Sequence, residues 1–299
     1  MNASVKLIER VVPATVAVSV EVPEHHPSAP ILGTERLGTA VAIDRNGLLL
    51  TVNYVVIGAR SVEITLLDET RLDGRVVAQD FASGLAAIEI GARGLAALDL
   101  CPSSELSVGQ EIFIVAAAGE NKRRANNGMI SGLAPFDAYW EYSLDRAIST
   151  TAMNPGLGGA PVLDSRGRVA GIVSLDINEI GRFTLAIPVD DFLAHRGELL
   201  QHGRRVSRPP RAWVGLYCYT FRDRVVVAGT LPGTPAEQSG LEAGDVVLTV
   251  DGQTIATRRE LYSTLWRHRP GDVLEFCVFR NNAVKQLAVS SRDAEEFFA

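Results

Sequence analysis

The chain has few of the residues that mark disulfide-rich, zinc-ribbon or nucleic-acid-binding proteins. Its 299 residues include only three cysteines, Cys101, Cys218 and Cys277, with no Cys-x-x-Cys spacing, which argues against a disulfide framework and against a zinc ribbon. Acidic side chains outnumber basic ones by 35 to 29, for a net charge of −6, and an acidic chain disfavours nucleic acid as a partner. No apolar run approaches the roughly 20 residues that a membrane-spanning helix needs.

What the chain does have is a large share of apolar residues arranged in short runs. Hydrophobic residues make up 46% of the sequence and charged residues 21%, which is typical of a folded globular protein. From residue 11 to about 190 the apolar runs have strand length, and turn signals such as Asn46-Gly47 and Asp73-Gly74 separate them. This spacing predicts a mainly β sandwich or barrel.

A polar segment divides the chain into two parts. Residues 202–211, HGRRVSRPPR, contain two adjacent prolines and almost no apolar side chain, so we interpret them as an exposed linker. A helix is predicted before this segment, over Val189–Gln201, and a second group of strands after it, from Trp213 to about Ser291. The last residues, DAEEFFA, are expected to fray.

The first residues allow two interpretations of the compartment. Lys6 and Arg10 followed by VVPATVAVSV loosely resemble a secretory signal, but Glu9 lies among the basic residues and Pro13 interrupts the apolar run. We interpret the β-branched run as a first strand instead. We therefore expect a cytoplasmic protein if Met1 is the natural start, and a periplasmic one if a leader has been removed.

A series of longer segments extends along most of the chain. In order, they are LGTAVAIDRNGLLLTVNYVV, DFASGLAAIEI, GMISGL, STTAMNPGLGGAPVLDSRGRVAGIVSL, GRFTLAIPVDD and, after the linker, WVGLY and GTPAEQSGLEAGDVVLTVDGQTI. The series resembles the motifs of HtrA/Deg trypsin-like serine proteases, in the family's order and at its spacing. The resemblance implies a mainly β protein, a chymotrypsin-like double six-stranded β-barrel followed by a PDZ domain.

The resemblance also implies domain boundaries and partners. Residues 1–203 would form the trypsin-like domain, 204–211 the linker, 212–291 the PDZ domain and 292–299 a tail. Active members of the family assemble as trimers through the protease domain, so self-association, or association with active HtrA-type proteases, is an expectation. The resemblance implies no cofactor.

The family's three catalytic positions carry other residues here. The histidine of T-N-x-H-V-V corresponds to Tyr54, the aspartate of T-D-L-A to Gly84, and the serine of G-N-S-G-G-P to Gly158. A phenol with a pKa near 10 cannot take a proton from a serine at neutral pH as imidazole does. Glycine has no side chain to orient a base or to attack a carbonyl. We therefore expect a catalytically inactive member, a pseudoprotease that is not an enzyme.

A displaced set of catalytic residues is the alternative, and the sequence offers little for it. The five histidines are His25, His26, His195, His202 and His268, so none lies between residues 27 and 194, where the two barrels form the cleft. Cys101 and Lys122 lie in segments far from the expected nucleophile. The hydroxyl groups that remain near the cleft are unactivated and therefore poor nucleophiles; they belong to Ser83, Ser149, Thr150 and Thr151.

The oxyanion hole does not depend on side chains. In the family it is made by two backbone N–H groups, which correspond here to Gly156 and Gly158, and glycine retains its N–H. The hole is therefore expected as a remnant, and a weak or rewired serine-type endopeptidase stays the alternative function. Tyr54 either fills the space that the histidine left or marks a cleft that still holds an extended peptide; the first interpretation is preferred.

The PDZ segment retains its binding residues. In this family a Y-[IL]-G-[IV] segment supplies backbone N–H groups for a ligand's C-terminal carboxylate, and the matching residues are Trp213, Val214, Gly215 and Leu216. Convergent backbone donors suit a carboxylate because they supply fixed partial positive charge. The pocket for the ligand's last side chain is assigned to Leu261, Tyr262 and Leu265. The predicted function is therefore a scaffold or regulator that binds peptides or protein C-termini.

Two smaller signals have simpler interpretations. His25-His26 in the proline-flanked loop EVPEHHPSAP are adjacent imidazoles that a transition metal could use, but adjacent histidines alone fix no coordination geometry. We interpret them as part of a solvated loop and predict no metal site. Trp140, Trp213 and Trp266 are interpreted as packing or groove residues.

Overall fold

The computed structural model describes residues 3–119, 121–177 and 183–299. The chain forms two compact units, one of Met1–Pro135 with Asp145–Val206, the other of Phe136–Leu144 with Ser207–Ala299. Gly181 and Arg182, which begin the motif GRFTLAIPVDD, lie outside the described residues. No helix in the described ranges is long and apolar enough to cross a membrane.

The first unit begins with a six-stranded closed barrel. Its strands are β1 Thr15–Glu21, β2 Glu35–Ala42, β3 Leu48–Val52, β4 Ser61–Thr65, β5 Arg71–Asp80 and β6 Leu85–Ile90. They pair in the order β1-β2-β3-β6-β5-β4, with every pair antiparallel. All five residues of β3, LLLTV, are buried, so both faces of this strand are covered.

Three helices accompany this barrel: α1 Ala3–Val11, α2 Ala29–Leu32 and α3 Asn53–Val56. The sequence analysis interpreted VVPATVAVSV as a strand, but Val11 ends α1 and the strand begins only at Thr15, after a 3-10 turn at Val12–Ala14. Pro13 explains the boundary, because proline fits the first turn of a helical segment but lacks the N–H that a strand ladder needs. Leu7 and Val11 are buried, which fixes one face of α1.

A second closed barrel completes the first unit. Its strands are β7 Glu111–Ala117, β8 Arg123–Asp137, β9 Ser143–Thr150, β10 Pro161–Leu163, β11 Val169–Ile177 and β12 Phe183–Pro188. They pair in the order β10-β11-β12-β9-β8-β7. The predicted helix after them is α4 Asp190–His202, ended by Gly203 in the left-handed conformation at φ 74°. The double-barrel prediction is confirmed.

The second unit contains one antiparallel sheet and three short helices. Its strands are β13 Leu216–Thr220, β14 Val225–Thr230, β15 Val246–Val250, β16 Gln253–Thr254, β17 Val273–Arg280 and β18 Ala283–Ser290. They pair in the order β13-β14-β15-β17-β18, with β16 beside β15. The helices are α5 Pro235–Gln238, α6 Arg258–Leu265 and α7 Ala294–Phe297. A capping box between Thr257 and Glu260 begins α6.

The C-terminal tail differs from the prediction that it frays. Residues Ala294–Phe297 form α7, which begins at Asp293, whose side chain accepts the N–H of Glu295. The rings of Phe297 and Phe298 lie 5.0 and 5.6 Å from the ring of Trp213. The contacts of these two partly buried rings with Trp213 hold the tail in place, because aromatic ring contacts offset the conformational entropy that fraying would gain.

One ion pair in the second unit is almost fully buried. Arg280 Nη2 lies 2.6 Å from Asp245 Oδ2 and donates to Gly240 O at 2.7 Å; the Asp245 side chain is 0% exposed and that of Arg280 10%. Burial alone would raise the pKa of Asp245, but the hydrogen bonds from Arg280 and from the Glu242 N–H, together with the charges of Arg280 and Lys285, outweigh burial, and the pKa is lowered. The pair links the end of β17 to the turn before β15.

Replacing Arg280 with methionine is expected to lower the free energy of unfolding of this unit by about 3 kcal/mol, because it leaves the buried Asp245 carboxylate without its partner. Urea unfolding followed by tryptophan fluorescence measures this unit alone, since Trp140, Trp213 and Trp266 all lie in it. The control is Arg267→Met, at an exposed arginine, with an expected change below about 0.5 kcal/mol. Equal losses in the two variants would contradict the assignment.

Candidate functional site

Tyr54 lies at the start of α3, directly after the buried strand β3. Its hydroxyl donates to the carbonyl of Ser174 in β11 at 2.9 Å. Burial, helped by the nearby charge of Asp176, raises the pKa of Tyr54 to about 12. The phenol is therefore neutral at physiological pH, and its one proton is already donated to a carbonyl. It cannot act as the base that a histidine at this position would supply.

Gly158 faces the Tyr54 hydroxyl. A Cβ atom built on Gly158 would lie 2.0 Å from Tyr54 Oη and 3.2 Å from Cζ. No real Cβ approaches another atom that closely, so the phenol occupies the volume that a serine side chain would need. The sequence interpretation that Tyr54 fills the vacated space agrees with this geometry.

Gly84 lies beside the same helix. Its carbonyl accepts the N–H of Asn53 at 2.8 Å, and its own N–H donates to Asp80 O at 2.8 Å. Its φ is +80°, a left-handed conformation in which a residue with a side chain is strained. Tyr54, Gly84 and Gly158, the three positions that the resemblance assigns to the catalytic residues, thus lie around α3. An aspartate would not adopt the backbone seen at Gly84 without cost.

The loop from Gly156 to Gly159 is held firmly by backbone contacts. Leu157 N–H donates to Ala117 O at 2.9 Å, Thr39 N–H to Gly158 O at 2.7 Å, and Gly159 N–H to Val173 O at 2.8 Å. A Cβ on Gly156 would lie 2.2 Å from Ala117 O, so only glycine fits there. The path of the loop is therefore fixed by both barrels.

The two predicted oxyanion donors differ in availability. Gly156 N–H lies 3.4 Å from Asn154 Oδ1, a long hydrogen bond. Gly158 N–H makes no hydrogen bond to any residue that the structure describes. A partly buried N–H without a protein partner is a donor that a carbonyl or oxyanion can use. The assignment of Gly156 and Gly158 as an oxyanion hole stays a prediction.

The other hydroxyl and thiol groups considered from the sequence are engaged elsewhere. Ser83 Oγ accepts Leu85 N–H at 3.3 Å, Thr150 Oγ1 accepts Ala152 N–H at 3.0 Å, and Thr151 Oγ1 accepts Met129 N–H at 3.0 Å. Ser149 pairs with Leu185 in the second barrel. Burial raises the pKa of the Cys101 thiol, and Lys122 is exposed. None of them is placed against Tyr54 or Gly158 by these contacts.

One histidine–serine pair was missed by the sequence analysis. His26 Nδ1 lies 2.7 Å from Ser28 Oγ, to which Arg36 Nη2 also donates at 2.6 Å. Ser28 is 1% exposed and precedes α2, so its hydroxyl is closed to any substrate. The pair therefore anchors the start of a helix. Among the described residues, no group of three or more His, Cys, Asp or Glu side chains could hold a metal ion.

In the predicted carboxylate-binding segment of the second unit, three backbone N–H groups converge on one carboxylate, that of Glu141. The N–H groups of Val214, Gly215 and Leu216 point at the Glu141 carboxylate, with nitrogen–oxygen distances of 3.1, 2.6 and 3.2 Å. Trp213 does not take part, since its N–H donates to Arg292 O at 2.9 Å. Three of the four predicted residues thus form a nest of backbone donors.

The predicted pocket residues lie on α6. Leu261, Tyr262 and Leu265 are each 0% exposed and belong to the unit's core. Tyr262 also reaches past that core, because its hydroxyl donates to Ala138 O at 2.8 Å. The sequence analysis missed Glu141. In the sequence, Glu141 is marked only as a single carboxylate among aromatic residues in the segment YWEYS. That pattern does not identify the N–H groups that bind the carboxylate.

Comparison with known families agrees with the two units. Residues 38–172 match the trypsin-like peptidase domain, and residues 205–290 match the PDZ domain. Solved structures of the HtrA-type protease AlgW with a tripeptide share the fold at a TM-score of 0.59 and 24% identity, covering 98% of this chain and 97% of that one. A serine endoprotease from Yersinia pestis matches at a TM-score of 0.57 and 20% identity, over 98% of each chain.

The curated relatives are longer proteins. A probable periplasmic serine endoprotease DegP-like of Halomonas elongata is 30% identical over 86% of this chain and 56% of its own length. A putative serine protease HhoA of Synechocystis is 31% identical over 73% of this chain and 61% of its own length. The chain therefore spans little more than half the length of such relatives.

These relatives correct two expectations. The prediction that the chain is not an enzyme is contradicted, because the similar proteins are named serine endoproteases. The sequence argument excluded one route, proton transfer through His, Asp and Ser, and treated that as excluding hydrolysis altogether. The relatives' names also favour the periplasmic alternative over the cytoplasmic one. The chain thus has a trypsin-like peptidase domain followed by a C-terminal PDZ domain, and it is similar in both to the HtrA/DegP serine proteases.

Proposed function

We propose that the chain is a weak or rewired serine-type endopeptidase of the HtrA family that captures peptides or protein C-termini through its PDZ domain. The relatives' names support the reaction class. They also support the periplasm as its compartment, since several relatives are named periplasmic. Self-association, as a trimer, or association with active HtrA-type proteases is part of the proposal.

The proposed hydrolysis rests on one observation, the N–H of Gly158, unpartnered among the described residues. It is free of hydrogen bonds to the described residues, on a loop whose neighbours Leu157 and Gly159 are held by Ala117 and Val173. A rigid donor of this kind stabilises negative charge on a carbonyl oxygen without reorganising. The neutral phenol of Tyr54 is no base, and Gly84 and Gly158 have no side chain that could act as a base or a nucleophile.

The reaction that this remnant supports needs only water as the second reactant. Water attacks the carbonyl carbon, and the carbonyl electron pair moves onto the oxygen, where the Gly158 N–H stabilises it. The pair then re-forms the carbonyl as the amine leaves, taking a proton from the attacking water. Binding and an oxyanion hole without a triad accelerate such a reaction by about 10³–10⁴ over water. A rewired route would add a displaced hydroxyl as the nucleophile.

The peptide-binding half is supported by the three converging N–H groups. Val214, Gly215 and Leu216 offer fixed donors at the end of β13, and a C-terminal carboxylate meets such donors without a counter-ion to desolvate. The edge of β13 beside them supplies the backbone of a strand for an extended peptide. The ligand class is therefore a peptide with a free C-terminus.

Replacing Gly156 with alanine is expected to lower peptide-ester turnover by about 10²-fold, the usual effect of losing an oxyanion donor. The new Cβ would lie 2.2 Å from Ala117 O, so the loop that carries Gly158 must move. A peptide p-nitrophenyl ester is the substrate, because the uncatalysed ester reaction is fast enough for a weak acceleration to be measured. Calorimetry checks that the variant folds.

The matched control for this experiment is Gly132→Ala. Gly132 lies in the same unit, and its added Cβ would meet Ser149 Cβ at an ordinary 3.7 Å, so turnover is expected to stay at the parent level. A fluorophosphonate probe with mass spectrometry separates the two routes, since labelling occurs only at an activated hydroxyl. Turnover that is equal in both variants and in the parent would remove Gly158 from the proposal.

Restoring serine at position 158 alone is expected to destabilise the first unit by about 1–3 kcal/mol, because the side chain overlaps the Tyr54 hydroxyl. Adding Tyr54→His to Gly158→Ser is expected to recover most of that loss. Scanning calorimetry of both single variants and the double variant gives the coupling between the positions. Gly132→Ser is the control. Additive effects at the two positions would show that Tyr54 does not occupy this volume in solution.

The full chain is expected to bind peptides that carry a free carboxylate at least about tenfold more tightly than the same peptides capped as amides, because the cap removes the charge that the N–H groups attract. A pool of fluorescein-labelled decapeptides ending in Val, Leu, Ile or Phe is measured by anisotropy. Equal affinity for the two pools would contradict carboxylate recognition.

A further inference from the structure

The segment Phe136–Leu144 belongs to the same compact unit as the PDZ domain, although it runs from the last residues of β8 to the first residues of β9. Tyr139 O accepts the N–H of Cys218 in β13 at 2.7 Å, and Trp140 pairs antiparallel with Tyr217. The segment therefore lies along the edge of β13 as an added strand. This is the position that an extended peptide ligand would take.

The tip of this segment places a carboxylate in the donor nest. Glu141 Oε1 and Oε2 accept the N–H groups of Val214, Gly215 and Leu216, and Glu141 is 7% exposed. Burial raises the pKa of Glu141 to about 7, although the three hydrogen bonds favour the ionised form. A glutamate side chain thus stands where a ligand's terminal carboxylate is expected.

Contacts on both sides of Glu141 fasten the segment. Asp137 Oδ1 lies 3.0 Å from Arg259 Nη2 and accepts from Ser143 Oγ at 2.6 Å. Arg259 also donates to Leu144 O at 2.9 Å. These contacts, together with the Tyr262 hydroxyl on Ala138 O, join the segment to α6. The groove is therefore closed along the strand edge, at the donor nest and at the helix.

We propose that Phe136–Leu144 is the resident ligand of this PDZ domain, with Glu141 in the place of a C-terminal carboxylate. A peptide with a free C-terminus and the segment need the same three N–H groups and the same edge of β13. They therefore exclude each other, and a peptide binds only the fraction of molecules whose segment has left the groove. The inference concerns the occupant of the groove; its second test rests on the peptide binding proposed above.

The first test needs no peptide. Replacing Glu141 with glutamine keeps the side chain's size but turns one acceptor oxygen into an NH₂ group that the N–H donors repel. Hydrogen exchange at pH 8, where Glu141 is ionised, is expected to become at least about tenfold faster for the backbone of residues 214–218. The control is Glu275→Gln, at an exposed glutamate of β17, which should leave that exchange unchanged.

The second test measures competition. The affinity of the full chain for the free-carboxylate decapeptide pool is expected to rise at least about tenfold in Glu141→Gln and to stay at the parent value in Glu275→Gln. Asp137→Asn loosens the segment at its other contact while leaving Glu141 in place, and a smaller rise is expected. This variant keeps the proposal testable if Glu141→Gln folds poorly.

The outcomes separate the inference from the proposed function. Faster exchange with no peptide bound by any variant would support the segment as occupant and overturn peptide capture. Equal exchange in Glu141→Gln, Asp137→Asn and the parent would overturn the inference. Equal peptide affinity in the three proteins would overturn it as well, even if peptides bind, because a resident ligand must compete.

Discussion

A single hydrogen-bonded phenol determines what the trypsin-like domain can do. The Tyr54 hydroxyl donates to Ser174 O and stands where the Cβ of a residue at position 158 would be. The pair of positions is mutually dependent, because a side chain at 158 and the phenol at 54 cannot both fit. Glycine at 158 is therefore the residue that the phenol requires, and proton transfer between these positions is absent for a steric reason as well as a chemical one.

The backbone around this pair is held in place independently of the side chains at positions 54, 84 and 158. Gly156 to Gly159 are fixed by Thr39, Ala117 and Val173, and these contacts use main-chain atoms or the short Thr39 hydroxyl. None of these contacts uses a side-chain atom of residue 54, 84 or 158. This explains how a chain with Tyr54, Gly84 and Gly158 keeps the double barrel and a free donor at Gly158, and why hydrolysis through that donor is the reaction to test.

The sequence predicted the fold well because the fold depends on local patterns. Short apolar runs between turn signals predicted a mainly β sandwich or barrel, the family resemblance implied two barrels, and Pro188 with Asp190-Asp191 marked the beginning of α4. The errors occurred where distant contacts decide. The tail forms α7 because Phe297 and Phe298 reach Trp213, and the helix α1 forms before Pro13 with Leu7 and Val11 buried beside Gly167, which lies far along the chain. Neither contact leaves a local pattern.

The sequence could describe the Gly158 site and the Val214–Leu216 site only in part, because both are made of backbone donors. Any residue except proline supplies an N–H, so the motif WVGL predicts the donors at Val214, Gly215 and Leu216 but says nothing about what they bind. Glu141 lies 73 residues before Val214 in the chain and occupies those donors only because the segment between β8 and β9 pairs with β13. The N–H of Gly158 meets no such partner among the residues that the structure describes. Occupancy, more than the presence of donors, therefore distinguishes the two sites: Glu141 already accepts the N–H groups of Val214, Gly215 and Leu216, whereas no described residue accepts that of Gly158.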